Sequence, residues 1–224
     1  MTTLTASDGH ELDAYETGSD GATAAVVIVQ EIFGVNAHIR SVADRYSSFG
    51  YRAIAPAMFD RVERGVELEY NAEGVERGRA LRQELSWDDS VLDVAAAVDR
   101  VAGTGPVAVI GYCYGGSMAW LAAAAADTTT PIAAAIGYYG GQIVDFIDRS
   151  PQVPTMLHFG ALDHAIPLDG VRRVAERHPD VIVNVYDDAG HGFNCDARAS
   201  YHPEASALAE RRTTEFLATH LATS

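Results

Sequence analysis

The stretch VAVIGYCYGGSMAW, residues 107 to 120, sets one of only two cysteines, Cys113, at the tip of a Gly-Tyr-Cys-Tyr-Gly turn. Glycine, nucleophile and glycine at alternate positions is the spacing of a strand-to-helix nucleophile turn, with cysteine where serine is usual. Such a turn holds its central residue in strained backbone, and the flanking glycines let neighbouring main chain approach. At a helix N-terminus the dipole and unpaired N–H groups favour the reactive thiolate. In isolation the pattern reads better as a buried structural cysteine. Two further segments change the balance: HFGALDHAIP puts Asp163 just past one apolar run, and YDDAGHGF puts His191 in a glycine-flanked loop past the next.

Nucleophile, acid and histidine then follow in chain order, each at a predicted strand end. Cys113 would attack an acyl carbonyl, His191 would move the thiol proton and later activate water, and Asp163 would fix the imidazole tautomer. The developing oxyanion needs two donors. The N–H of Tyr114, the residue after the nucleophile, supplies the first, and the N–H of Ile32, in VQEIFGVN, the second. Glu31 closes a buried apolar run, where a carboxylate is costly without a partner. It either reaches solvent or an arginine, or it hydrogen-bonds the resting thiol and moves when substrate arrives.

These residues require a scaffold that presents strand ends together. TLTASDGHELDAYETG reads as two short strands around an Asp8-Gly9 turn. AAVVIVQE (24 to 31) is a near-continuous apolar run, the mark of a strand buried on both faces. Asn36 and Gly50 bracket a helix whose inner face carries Ile39, Val42 and Tyr46. Further strands are expected over 51 to 57, 107 to 112, 132 to 140, 154 to 160 and 181 to 187. Helices are expected over 71 to 84, 88 to 102, from 115, 167 to 178 and 203 to 220. Strands alternating with helices predict an α/β class, with a mostly parallel sheet and helices on both faces. Ligands bind beyond the carboxyl ends of such strands, just after residues 30, 57, 112, 160 and 187.

The chain has 224 residues, a length that suits one domain spanning 1 to 224. Its formal charge of −15 argues against nucleic acid or an anionic membrane as partner; all sixteen cationic side chains are arginine, a bias that reflects genomic composition or salt adaptation and does not speak to the reaction. No basic leader or membrane-length apolar run is present, so the expected location is cytoplasmic, with a reduced Cys113 and Cys195. Cys195, with one nearby histidine, makes no convincing metal set. A monomer is the default expectation.

Together VQEIFGVNAHIRSVADRYSSFGYRAIAPAMF, GYCYGGSMAWLAA, GYYGG, HFGALDHAIP and DDAGHGFNCD resemble the dienelactone hydrolase family, the carboxymethylenebutenolidases. The resemblance implies an α/β-hydrolase fold and a Cys-His-Asp triad on Cys113, His191 and Asp163. It also implies a glutamate partner for the cysteine at Glu31, a lactone substrate bearing a carboxylate, and no metal or organic cofactor. In that family an arginine shortly after the histidine holds the substrate carboxylate. The equivalent place here falls near Asn194 and Cys195, with Arg198 three residues beyond. A second family arginine falls in EGVERGRALRQEL, where Arg77, Arg79 and Arg82 are candidates. Phe33, Phe59, Tyr138 and Phe193 lie at predicted strand ends, where they could wall a pocket or pack the core. DRVERGVELEYNAEGVERGR reads as a solvated face or as a lid over the cleft. The expected function is cysteine-dependent opening of a small lactone or ester through an acyl-enzyme. A general carboxylesterase or thioesterase, and a non-catalytic binding protein on the same fold, are the alternatives.

Overall fold

The computed structural model describes residues 1–18 and 21–222. Eight strands form one sheet in the order β1-β2-β4-β3-β5-β6-β7-β8. β1 (Thr2–Thr5) and β2 (Glu11–Thr17) form the expected hairpin and run antiparallel; β2 also pairs antiparallel with β4 (Arg52–Pro56). All remaining pairings are parallel, through β3 (Ala25–Val29), β5 (Val107–Tyr112), β6 (Ile132–Tyr138), β7 (Thr155–Gly160) and β8 (Ile182–Tyr186). This is the mostly parallel sheet of the α/β-hydrolase fold.

The apolar runs behave as their composition requires. Every residue of β3, β5 and β7 is buried, because helices cover both faces. α1 (Ala37–Ser48) and α6 (Pro203–His220) lie on one face, tied by Arg45 Nη1 donating to Glu210 Oε2 at 2.8 Å. α3 (Trp87–Val101) and α4 (Tyr114–Ala125) pack against each other on the opposite face. α2 (Ala72–Glu84) and α5 (Leu168–Arg177) complete the set.

Local chemistry fixes the helix starts. Asn36 Oδ1 accepts from Ile39 N–H at 3.2 Å, Asn71 Oδ1 from Gly74 N–H at 2.8 Å, and Ser86 Oγ from Asp89 N–H at 3.3 Å. α4 differs, since it is apolar all round and buried on nearly every residue, as a helix in the middle of a layered core must be. No side chain caps it. Of its first N–H groups, Gly115, Gly116 and Ser117 find main-chain acceptors, and that of Tyr114 has no partner among the described residues.

Candidate active site

β5 ends at Tyr112 and α4 begins at Tyr114, so Cys113 alone turns the chain. Its φ of 54° and ψ of −114° are costly for a side chain with a Cβ, and persist only because the surroundings enforce them. The Cys113 N–H donates to the Tyr138 carbonyl at 2.9 Å, and the Cys113 carbonyl accepts from Gly116 N–H at 2.9 Å. Two glycines make the turn possible. A Cβ on Gly111 would fall 1.7 Å from the Gly115 carbonyl oxygen, and one on Gly115 would fall 2.2 Å from that of Val29. With no side chain there, Gly115 N–H reaches the Gln30 carbonyl at 3.0 Å and ties the start of α4 to the end of β3. Ile32 and Tyr114 are thereby brought to the wall of the same cavity as Cys113.

His191 enters from the loop after β8. Its Nε2 lies 3.2 Å from Cys113 Sγ and its Nδ1 2.7 Å from Asp163 Oδ2. The Asp163 side chain is fully buried, and its Oδ1 accepts from Ala165 N–H at 2.9 Å, which leaves the carboxylate no freedom to turn away. Burial acts against a charged imidazole at His191, but attraction to the Cys113 sulfur and the hydrogen bonds to Asp163 and Cys113 outweigh it. The net effect raises its pKa to about 10.

Glu31 settles between the two expectations made for it. Its Oε1 accepts from Arg198 Nη1 at 3.0 Å, so the carboxylate reaches an arginine rather than the thiol, whose partner is His191. The side chain is almost wholly buried and Oε2 has no hydrogen-bond partner among the described residues. Space for the guanidinium comes from Gly192, at a φ of +76°, where a Cβ would stand 2.5 Å from Arg198 Nη1. Arg198 lies under Phe33 and Tyr70, at 5.7 and 5.9 Å from the ring centres. Burial is the largest influence and disfavours its charge, but Glu31 together with Tyr139, Cys113 and Cys195 outweighs it, and its pKa is raised. Arg198, three residues after Cys195, thus lines the cavity while paired with Glu31.

The cavity over Cys113 has a volume of about 680 Å³ and is walled by Ile32, Phe33, Val75, Leu85, Trp87 and Ile166 among others. Arg79, Arg82 and Arg198 line it too. Arg82 has no carboxylate partner among the described residues; its guanidinium lies 3.5 Å from the Trp87 ring centre and 5.0 Å from that of Tyr114, and Nη1 donates to the Leu85 carbonyl. Burial lowers its pKa. The segment from 60 to 79 turns most of its charged side chains to solvent, as expected of a solvated face, and is anchored along its inner side rather than forming a detached flap. Gly34 bridges to Glu67, and Gly78 sits where a Cβ would meet the Ile32 carbonyl oxygen at 2.0 Å, so α2 is seated directly on the Ile32 main chain.

Three expected site residues are elsewhere. Arg77 projects away from the cavity and pairs with Glu63, because α2 turns 3.6 residues per revolution and only Arg79 and Arg82 share its inner side with Val75. Tyr138 belongs to the core. It stacks on Tyr112 and His158, and its hydroxyl is 2.7 Å from Thr213 Oγ1. Phe193 is fully buried against Tyr138, Tyr139 and Tyr186. Phe59 is likewise core, stacked 6.4 Å from Tyr114. Phe33 is the one strand-end aromatic of the four that lines the cavity. Cys195 is fully buried, and burial followed by the Glu31 charge pushes its thiol up to about 12. Trp87 and Gln142, which also line the cavity, carry no chemical signature in sequence beyond the Ser86 cap that starts α3.

Comparison with known proteins agrees with this arrangement. The family model of the dienelactone hydrolase family matches residues 12–221. A carboxymethylenebutenolidase of Pseudomonas putida is 32% identical over 222 residues, covering 94% of this chain and 92% of that protein. A provisionally named carboxymethylenebutenolidase of Synechocystis sp. is 34% identical over 221 residues, covering 90% of this chain and 88% of its own. A crystal structure of a provisionally assigned dienelactone hydrolase from Klebsiella pneumoniae superposes with a TM-score of 0.83 at 28% identity, covering 96% of this chain and 97% of that one. With the fold and similarity along nearly the whole length in agreement, the chain belongs to the dienelactone hydrolase family and is an ester hydrolase.

Proposed function

We propose that the protein opens a small carboxylate-bearing lactone or ester with Cys113 as nucleophile, His191 as acid and base, and Asp163 as its orienting partner. The observation that carries this reading is the unbroken file of hydrogen bonds, 3.2 and 2.7 Å, from the Cys113 sulfur through His191 to the buried Asp163 carboxylate. Transfer of the thiol proton to His191 Nε2 gives a thiolate beside an imidazolium. The thiolate attacks the carbonyl carbon, and the oxyanion is met by the Ile32 and Tyr114 N–H groups. As the ring C–O bond breaks, His191 returns its proton to the leaving oxygen. Water then gives a proton to Nε2 and attacks the thioester, the C–S bond breaks, and sulfur leaves as thiolate.

The substrate carboxylate is assigned to Arg82 and Arg79. Arg198 is already half-neutralised by Glu31, whereas Arg82 faces the cavity without a carboxylate partner among the described residues. Glu31 acts by holding Arg198 at the cavity floor. Hydrolysis of cis- and trans-dienelactone beside simple p-nitrophenyl esters tests the reading. Turnover of the lactones, with KM raised in Arg82→Ala for carboxylate-bearing substrates only, is the expected result. Turnover of neutral esters alone would overturn the anionic assignment. A second reading, a general carboxylesterase or thioesterase, is favoured by the volume of the cavity, about 680 Å³, and its apolar wall of Phe33, Val75, Leu85 and Trp87.

A further inference from the structure

Beside the active-site cavity lies a second space of about 270 Å³. Gly141, Gln142, Ala165 and Ile166 line both, so they form the common wall. Behind that wall Phe159, Ile143, Val144, Pro167, Val171 and Val174 supply apolar side chains, with Asp145 and exposed main chain adding polar surface. A space of about 150 Å³ suffices to accept benzene. The larger space here has room for a phenyl ring or a short alkyl chain.

The common wall is thin where the two spaces meet. Gly141 is not at positive φ, and a Cβ there would touch Ile166 Cγ1 at 3.5 Å, an ordinary contact. Neither backbone nor packing therefore demands glycine, and its effect is to keep side-chain bulk out of the partition. The rest of the rim is rigid. Gln142 N–H donates to Ser117 Oγ at 3.1 Å, and that hydroxyl donates to Gln142 Oε1 at 3.3 Å. Ala165 and Ile166 are tied to Asp163 by N–H donation to its Oδ1 and its carbonyl. The partition is thus built in part from the loop that carries the acid of the site.

We propose that this side chamber is a second substrate subsite, which takes a compact apolar arm of the ester whose carbonyl reacts at Cys113. The inference rests on the reading of the main cavity as an ester-hydrolysing site and specifies its substrate: an anionic group toward Arg79 and Arg82, and an aryl or short alkyl arm on the side of Gly141 and Ile166.

The test is kcat/KM over two series of carboxylate-bearing esters, one lengthened on the alcohol side and one on the acyl side, from methyl through propyl to benzyl. In at least one series each added methylene is expected to raise kcat/KM about fourfold, from about 0.8 kcal/mol per buried methylene. Val144→Phe, which fills the chamber from its half-buried outer wall, should abolish that rise and leave the methyl esters within about twofold of wild type. If Val144→Phe does not fold, Gly170→Leu fills the same space from α5, where a Cβ meets only Val144, at 3.4 Å. Flat series, or a filled chamber that slows short and long esters alike, overturns the proposal. A crystal under xenon pressure gives a readout independent of turnover. Xenon in the chamber of wild type and absent from Val144→Phe supports the subsite even if no ester is hydrolysed, and a chamber that takes none removes it.

Discussion

Cys113 and His191 are held 3.2 Å apart by strained backbone on one side and a buried carboxylate on the other, and the charge state of the pair has measurable consequences. Below about pH 10 His191 keeps its proton beside the Cys113 sulfur. A positive partner at that distance favours nucleophilic sulfur, so alkylation of Cys113 by iodoacetamide at about pH 7 is expected to be faster than that of an ordinary exposed thiol. His191→Asn should remove that advantage, and a substrate analogue should protect the wild-type thiol. Asp163→Asn keeps the shape of the site but lets the imidazole adopt the wrong tautomer; kcat is expected to fall about 10⁴-fold with little change in KM. Cys113, Asp163 and His191 were legible in the sequence because each stands just past an apolar run and their order is informative. The Glu31–Arg198 pair was not, since its partners are 167 residues apart and the space for the guanidinium depends on the φ of Gly192. Tyr138 and Phe193 misled because residue type at a strand end does not say which face the side chain takes. Tyr138 turns to Thr213 on α6, away from the cysteine.

At the scale of elements, α2 and the end of β3 are locked by contact between Gly78 and the Ile32 carbonyl. Gly78→Ala must push the helix off, because backbone cannot yield as a flexible side chain can. kcat/KM is expected to drop by up to about 10²-fold with an unchanged circular dichroism spectrum, the usual penalty for a misplacement of about 1 Å. A second coupling joins β7, β8 and α6 through His158, whose ring nitrogens meet the Tyr186 hydroxyl at 2.8 Å and Thr213 Oγ1 at 3.0 Å. Burial lowers its pKa to about 3. The unfolded chain then binds the extra proton between about 3 and 6.5, so stability rises with pH across that window and is lost as acid drives the pH down through it. Melting temperatures from pH 7 to pH 4 should fall for wild type and fall less for His158→Gln. The strand and helix order was readable from apolar periodicity and caps such as Asn36 and Ser86, whereas the burial of α4 on all sides follows only from its place in the sheet.

Over the whole molecule, a formal charge of −15 surrounds a cavity that holds Arg79, Arg82 and Arg198. The two act at different ranges. Salt at about 0.1 M screens the distant acidic surface beyond roughly 10 Å, while guanidiniums in contact with a ligand are screened far less. For a carboxylate-bearing substrate kcat/KM is expected to rise by about two-fold or more between roughly 10 mM and 0.1 M salt, and to stay flat for a neutral ester. A fall for the anionic substrate would mean that the arginines, rather than the overall charge, dominate its approach.

β8, at the rim of the sheet, pairs only with β7 and carries Ile182 and Val185 at 45% and 39% exposure. Such a margin is a template for adding further strands from other copies. Asp180, Asp187 and Asp188 flank it as gatekeepers, whose mutual repulsion keeps two rims from zipping together. Replacing all three by asparagine removes that repulsion, so the variant should form β-rich aggregates seeded from this margin faster than wild type does.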